Sequence, residues 1–396
     1  MAKEFSIGEL QKELRKINPF GDVISKSDFS KITEWIGTGN YHLNAVFSGD
    51  LFGGIPNNRT ICLAGDSGTG KTFLLLNIVA QAQKMGYYIV YYDTEGAVDV
   101  DNIQSFGVDP ERFDHQPVSD IAKFRTSITT LTKKLMEAKE KGMTTPKIMI
   151  CLDSLGMLAT TKEIDDAISG NTAADMTRAK TIRSLFRIIT SDLTGLGIPF
   201  IFTNHTYAST GMFPTVNLSG GGGLIYSASV ILALSKAQIK EGTVQTGIIV
   251  SVKTLKNRFG KPIPIKFHIR WDKGMNEFIG MEEYMSWENC GIQKGNIFSQ
   301  KEFDKFTEAD KAKSHEFEHN GETLYFFPKD TARNYIVRHL GCGVPANELF
   351  TERVWTREVL EEINEKCVKP RFSYGSVDNE DEIDAYFAEN VGGDDE

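Results

Sequence analysis

Eight residues constrain this chain more than any others: Gly65-Asp66-Ser67-Gly68-Thr69-Gly70-Lys71-Thr72. They spell G-x-x-x-x-G-K-T, the pattern of a loop whose backbone amides surround a polyphosphate. Gly65, Gly68 and Gly70 lack a Cβ, so the loop can curl tightly and come close to an anion. Lys71 can reach the β- and γ-phosphates of a nucleotide, and the Thr72 hydroxyl can bind Mg²⁺. The flanks fit. The apolar run 59–64 reads as a buried strand, and 73–82 reads as a helix that ends near Gly86. Strand, glycine loop and helix N-terminus together form an anion site, which implies ATP and Mg²⁺ as ligands.

Other strands follow the same plan. The run 87–92 leads into Asp93-Thr-Glu95-Gly96, and 147–152 leads into Asp153-Ser154. Carboxylates at strand C-termini lie on the edge where α/β proteins bind ligands. Glu95 is placed to orient or deprotonate a water that attacks a γ-phosphate, and Asp153 to hold a Mg²⁺ shell. A further strand, 197–205, ends in Asn204-His205. Residues 227–234 and 246–253 read as further strands. Residues 118–141 and 176–193 read as helices. Residues 163–175 and 206–223 read as polar loops, and the second contains Gly220-Gly-Gly-Gly223.

Composition narrows the class. The 396 residues are 40% hydrophobic and 24% charged, as in a soluble globular protein of two or three domains. No apolar run reaches transmembrane length and no signal-peptide core opens the chain. The five cysteines form no metal-binding spacing, which suggests a reducing intracellular setting. The net charge of −9 lies wholly in the tail: Asp378–Glu396 holds nine acids and no cation, and the remaining 44 acids balance 44 cations. From Lys253 to Arg270 there are six cations and no acid. A neutral body with a local basic stretch is compatible with nucleic acid. The tail reads as a solvated disordered end or as an electrostatic mimic of DNA.

The expected fold is α/β: a P-loop ATPase core with a twisted, mostly parallel sheet flanked by helices. The expected segments are an N-terminal helix and linker (1–35), the core (36–280), a small α+β C-terminal domain (281–377) and the acidic tail (378–396). In the first, Phe5, Ile7, Leu10, Leu14 and Ile17 share one helical face, suited to packing on its own core or on a neighbouring subunit.

The order of these motifs resembles the RecA-type homologous recombinases, and most of all their phage members. The carrying stretches are Phe106-Gly-Val-Asp-Pro-Glu-Arg112, Asp153-Ser-Leu-Gly156, Asp175-Met-Thr-Arg-Ala-Lys180, Ser184-Leu-Phe-Arg-Ile188 and Asn204-His-Thr-Tyr207. The likeness covers 30 to about 300. It implies the RecA-like fold and an ATP-dependent helical filament on single-stranded DNA. That filament would pair its DNA with a homologous duplex and exchange strands. By this resemblance Gly65–Thr72 bind the phosphates, Asp99 contacts adenine, Thr72 and Asp153 serve Mg²⁺, Glu95 is the catalytic base, and His205 senses the γ-phosphate. Lys256 and Arg258 reach a neighbour's ATP. The segments 165–175 and 206–222 fall on two DNA-binding loops: Arg178 lies just after the first, and Thr206, Gly220 and Gly221 lie in the second. Implied partners are single-stranded and homologous double-stranded DNA, further copies of the chain, and mediator and single-strand-binding proteins. The implied place of action is the cytoplasm, that of the infected bacterial host for a phage protein. The rival reading is another RecA-fold DNA motor such as a hexameric helicase. A non-hydrolysing, DNA-coating relative is a third.

Overall fold

The structure is a computed structural model that describes residues 6–18, 20–170, 177–208, 216–218 and 226–375. Gly220, Gly221 and the acidic tail lie outside the described residues. The chain divides into two compact units: the first holds 1–47, 52–258 and 262–280, and the second holds 48–51, 259–261 and everything from 281 on.

The first unit is built on an eight-stranded sheet. Its strands are β3 (Thr60–Gly65), β4 (Tyr88–Asp93), β5 (Phe113–Pro117), β6 (Ile148–Asp153), β7 (Phe200–Asn204), β10 (Val230–Glu241), β11 (Val244–Asn257) and β12 (Ile265–Arg270). The order is β12-β11-β10-β3-β7-β6-β4-β5. From β10 to β5 every pairing is parallel; β11 and β12 add antiparallel strands at one edge. Two small ribbons, β1 (Trp35–Ile36) with β2 (Ile55–Pro56) and β8 (Thr206–Ala208) with β9 (Val216–Leu218), complete it.

Alternation along the central strands explains the layers. Cys62, Val90, Tyr92, Ile150, Leu152, Phe200 and Phe202 share one face with Ile121, Phe124 and Ile128 of α5 (Ile121–Glu140) and with Ile182, Leu185, Phe186 and Ile189 of α7 (Arg178–Leu196). The intervening residues, such as Ile61, Leu63 and Cys151, are equally buried and point the other way. There α3 (Lys71–Lys84) buries Leu74, Leu75, Ile78 and Val79. Strands covered on both faces read as continuous apolar runs, which is why they stand out in the sequence.

The N-terminal α1 (Ile7–Ile17) starts at a capping box, Ser6 with Glu9, and leaves Ile7, Leu10, Leu14 and Ile17 exposed. Three expectations change further along the chain. Residues 163–175 are not simply a loop: α6 spans Thr161–Ser169. Thr160 and Glu163 exchange side-chain-to-backbone bonds at its start, and Gly170 ends it at φ +72. Its polarity belongs to an exposed helix. The segment from Thr206 likewise opens as the β8–β9 ribbon rather than as loop alone, and β10 and β11 run well beyond 234 and 253 as a long hairpin.

The second unit carries a five-stranded antiparallel sheet, with strands at Ile292–Ser299, His315–His319, Glu322–Pro328, Asn334–Val337 and Cys342–Pro345. Trp287, Phe317, Phe326 and Ile336 form its core, with the Trp287 and Phe326 rings stacked at 4.1 Å. A last helical segment, Arg357–Phe372, includes a π turn at Asn364–Val368. No helix among the described residues is long and apolar enough to cross a membrane.

Candidate nucleotide site

Register alone assembles the site. Asp93 pairs with Asp153 across β4 and β6, Asn204 with Ala64 across β7 and β3, and Leu234 with Gly65 across β10 and β3. The carboxyl ends of β3, β4, β6 and β7 therefore form one row beside the middle of β10, and the 65–72 loop stands over it. Gly70 occupies the N-cap of α3 at φ +89, and a Cβ on Gly65 would meet the Leu234 carbonyl oxygen at 2.5 Å. Only glycine fits at these turns. Lys71 is buried, and its Nζ donates to the carbonyls of Gly65 (2.9 Å) and Asp66 (2.8 Å). Burial holds its pKa below the usual lysine value, against the pull of Asp153, Glu95 and Asp66.

Asp153 sits at the centre. One oxygen accepts from the Thr72 hydroxyl (2.6 Å) and from Tyr91 (2.9 Å); the other accepts from Thr203. Burial, and then Asp153 itself, push the Tyr91 phenol well above its ordinary pKa, so it stays a donor. A buried carboxylate beside a hydroxyl is the donor chemistry that a hydrated Mg²⁺ takes, and the ammonium seated in the loop is ready to move to a phosphate. These residues fit ATP with Mg²⁺.

Glu95 lies one turn from Asp93. Its Oε1 accepts from the Ser154 hydroxyl at 2.7 Å and stands 3.5 Å from His205 Nε2. The turn is fixed by Asp93, whose carboxylate accepts from the amides of Glu95 (2.9 Å) and Gly96 (2.8 Å) and meets His115 Nε2 at 3.1 Å. Burial works to raise the Asp93 pKa, yet the His115 bond and the amides of Glu95, Gly96 and Ala97 outweigh it and hold it low. Sequence reading missed Ser154, Tyr91, Thr203 and His115. Ser154 alone carried a local signal, because it directly follows Asp153.

A groove of about 810 Å³ opens beside Gly68 and Gly70, walled by Phe73, Asn102, Phe106, Ile248 and Trp271. Asp99 does not line it. It caps the short helix α4 (Val100–Ser105), accepting from the Asn102 amide at 2.8 Å, and so positions a wall residue.

The other candidate residues lie elsewhere. Thr206 is adjacent: its hydroxyl donates to Asp66 Oδ1 at 3.0 Å, joining the phosphate loop to the β8–β9 ribbon. Arg178 opens α7, and its guanidinium bonds Glu163 (3.0 Å) and the Gly156 carbonyl (2.7 Å). Lys256 pairs with Ile231, which pairs with Cys62, three residues short of Gly65. That places it about 10 Å down the strand from the loop, two strands away. Arg258 lies further still, on a groove with Arg59 and Arg187. Burial and then Arg258 lower the Lys256 pKa.

A glycine-rich phosphate loop on the carboxyl edge of a mostly parallel sheet, faced by a buried aspartate and a glutamate at the ends of neighbouring strands, defines a P-loop ATPase core of RecA type. The chain belongs to the RecA family: the RecA N-terminal domain matches residues 12–276. It is 35% identical over 243 residues to the Recombination and repair protein of Enterobacteria phage T4 (UvsX), a match spanning 60% of each chain. It is 26% identical over 299 residues to Protein RecA of Prochlorococcus marinus, covering 74% of this chain and 73% of that one. To Protein RecA of Fusobacterium nucleatum it is 27% identical over 271 residues, 67% and 68% of the two chains.

Proposed function

We propose that the chain is an ATP-dependent DNA strand-exchange recombinase. It polymerises on single-stranded DNA, pairs it with a homologous duplex and drives strand invasion in recombination, repair and recombination-dependent replication. One observation carries this reading. The catalytic candidates fall in two groups at opposite ends of one sheet, so a complete site needs two subunits. Lys71, Thr72, Glu95, Asp153 and His205 gather over the carboxyl edge, whereas Lys256 and Arg258 lie well down β11 from that loop.

In this mechanism the loop amides and Lys71 bind the phosphates. Thr72 and Asp153 would hold Mg²⁺, which would supply charge neutralisation at the phosphate oxygens. Glu95 orients the attacking water and takes its proton, while Ser154 holds the carboxylate in place. His205 donates to a γ-phosphate oxygen. The groove beside Gly68 takes the nucleoside, with Trp271 as an aromatic wall. Lys256 and Arg258 act in trans as an arginine finger does, so hydrolysis waits for a formed interface.

The exposed apolar face of α1 docks on the neighbouring subunit. Thr206, Arg178 and the segment with Gly220 and Gly221 bind DNA mainly through its backbone, independent of sequence and sensitive to salt. Arg178 gives up its Glu163 bond to do so. Mediator and single-strand-binding proteins act alongside it, in the cytoplasm of the infected host. The test is ATP hydrolysis with and without single-stranded DNA, wild type beside Glu95→Gln, followed by a strand-exchange assay. DNA-stimulated turnover lost in the variant, with exchanged strands from the wild type, is the expected result. Turnover indifferent to DNA would remove the reading, and unwinding without exchange would favour a helicase.

A further inference from the structure

The phosphate loop is gripped from outside by a lysine that the mechanism above leaves unused. Lys236 lies on β10, two residues past the Leu234 that pairs with Gly65. Its Nζ donates to the Ser67 carbonyl at 2.9 Å. A Cβ on Gly68 would stand 2.6 Å from the same nitrogen, and Gly68 has φ +70. The ammonium therefore rests against the Ser67–Gly68 peptide, and glycine is what lets it come so close.

That peptide unit is planar and trans, so its C=O and N–H point in opposite directions. With the Ser67 oxygen held on the β10 side, the Gly68 N–H is turned to the inside of the loop. An amide turned inward is what an anion-binding loop requires. Lys71 plays a contrasting part. It rests on the Gly65 and Asp66 carbonyls and must leave them to reach a phosphate. Lys236 can keep its bond throughout, because it approaches from outside.

We propose that Lys236 is a positioning residue for nucleotide binding, which fixes the Ser67–Gly68 peptide so that the Gly68 amide is aimed before the anion arrives. This rests on the reading of the loop as a triphosphate site. Both ADP and ATP place a β-phosphate in such a loop, so loss of Lys236 weakens both by one factor. A lysine that touched the γ-phosphate would affect ATP alone.

The test uses the full chain and titrates ADP and the non-hydrolysable analogue β,γ-imido-ATP, each with Mg²⁺, into wild type, Lys236→Met and Lys236→Arg. Lys236 is exposed, so neither substitution disturbs the core. Lys236→Met should raise both Kd values about tenfold, the size of one charge-assisted bond. KM for ATP should rise with them while kcat at saturation stays within about twofold. Lys236→Arg, which also donates, should restore both affinities. Unchanged Kd values in Lys236→Met, or a loss confined to the ATP analogue, would overturn the assignment. A wild type that binds neither nucleotide would instead remove the triphosphate reading on which it stands.

Discussion

At the carboxyl end of the eight-stranded sheet, Lys71 and Asp153 are 7% and 3% exposed, and every polar contact described above is already made. At the other end, Arg258 is exposed and Lys256 half-buried, and among the contacts of Lys256 is a long bond of 3.5 Å to the Tyr226 carbonyl. One end is organised before its ligand arrives; the other, under the proposed mechanism, would offer its cations to an anion on another molecule. If the proposed sharing holds, burial marks the half of a site that a subunit completes for itself, and exposure the half it lends.

The largest effects should come from removing one group at either end. Lys256→Ala and Glu95→Gln should each lower DNA-stimulated turnover about a thousandfold. Nucleotide affinity of the free Lys256→Ala subunit should stay near wild type. Mixing the two inactive variants on single-stranded DNA is the sharper measurement. Some junctions would then join an intact phosphate end to an intact cation end, and turnover should return in part. No recovery at any ratio would break the comparison and place all the catalytic groups in one subunit.

The layer between the two ends comes next. Phe200 is fully buried among Phe124, Phe186 and Phe202. Phe200→Ala should cost about 3–5 kcal/mol in urea unfolding. A much smaller loss would mean that the core does not hold the two ends in register.

Smaller again is the contribution of the Asp93–His115 pair. The Asp93 pKa is lowered in the folded state, so its stabilisation is present above the unfolded value of about 4 and is lost as pH falls through the folded one. His115→Ala should cost about 1 kcal/mol at neutral pH. Its difference from wild type should shrink once the solution is acidic enough to protonate Asp93. A difference independent of pH would detach His115 from that carboxylate. The least effect is expected from Thr160→Ala, which removes the α6 cap at about 1 kcal/mol or less while leaving nucleotide affinity as it was. Melting temperature beside nucleotide titration checks both halves of that statement.

What the sequence discloses about this molecule follows the range of the interaction involved. The parallel strands are legible as apolar runs because both of their faces are covered. Asp93, Glu95, Asp153 and Asn204 are legible because each ends such a run. The helix α6 was open to reading from Thr160 and Glu163, yet its acidic, solvent-facing surface resembles a loop. What no local pattern holds is pairing across the sheet. The meaning of Lys236 depends on Leu234 meeting Gly65, and that of His115 on the edge strand meeting β4. The Glu163 partner of Arg178 likewise comes from another helix. Such contacts are made by topology, and a cation in them looks in sequence like any surface charge.

The placing of Lys256 and Arg258 at the far end of the sheet has an arithmetic consequence. In an open row of subunits joined head to tail, the terminal phosphate end has no neighbour to lend it cations. On the proposed sharing of cations between neighbours, a row of n subunits would hold n − 1 working centres, whereas a closed ring of n would hold n. Turnover per subunit would climb with the length of the row and level off, so that hydrolysis itself reports how far assembly has gone; a ring has no such dependence.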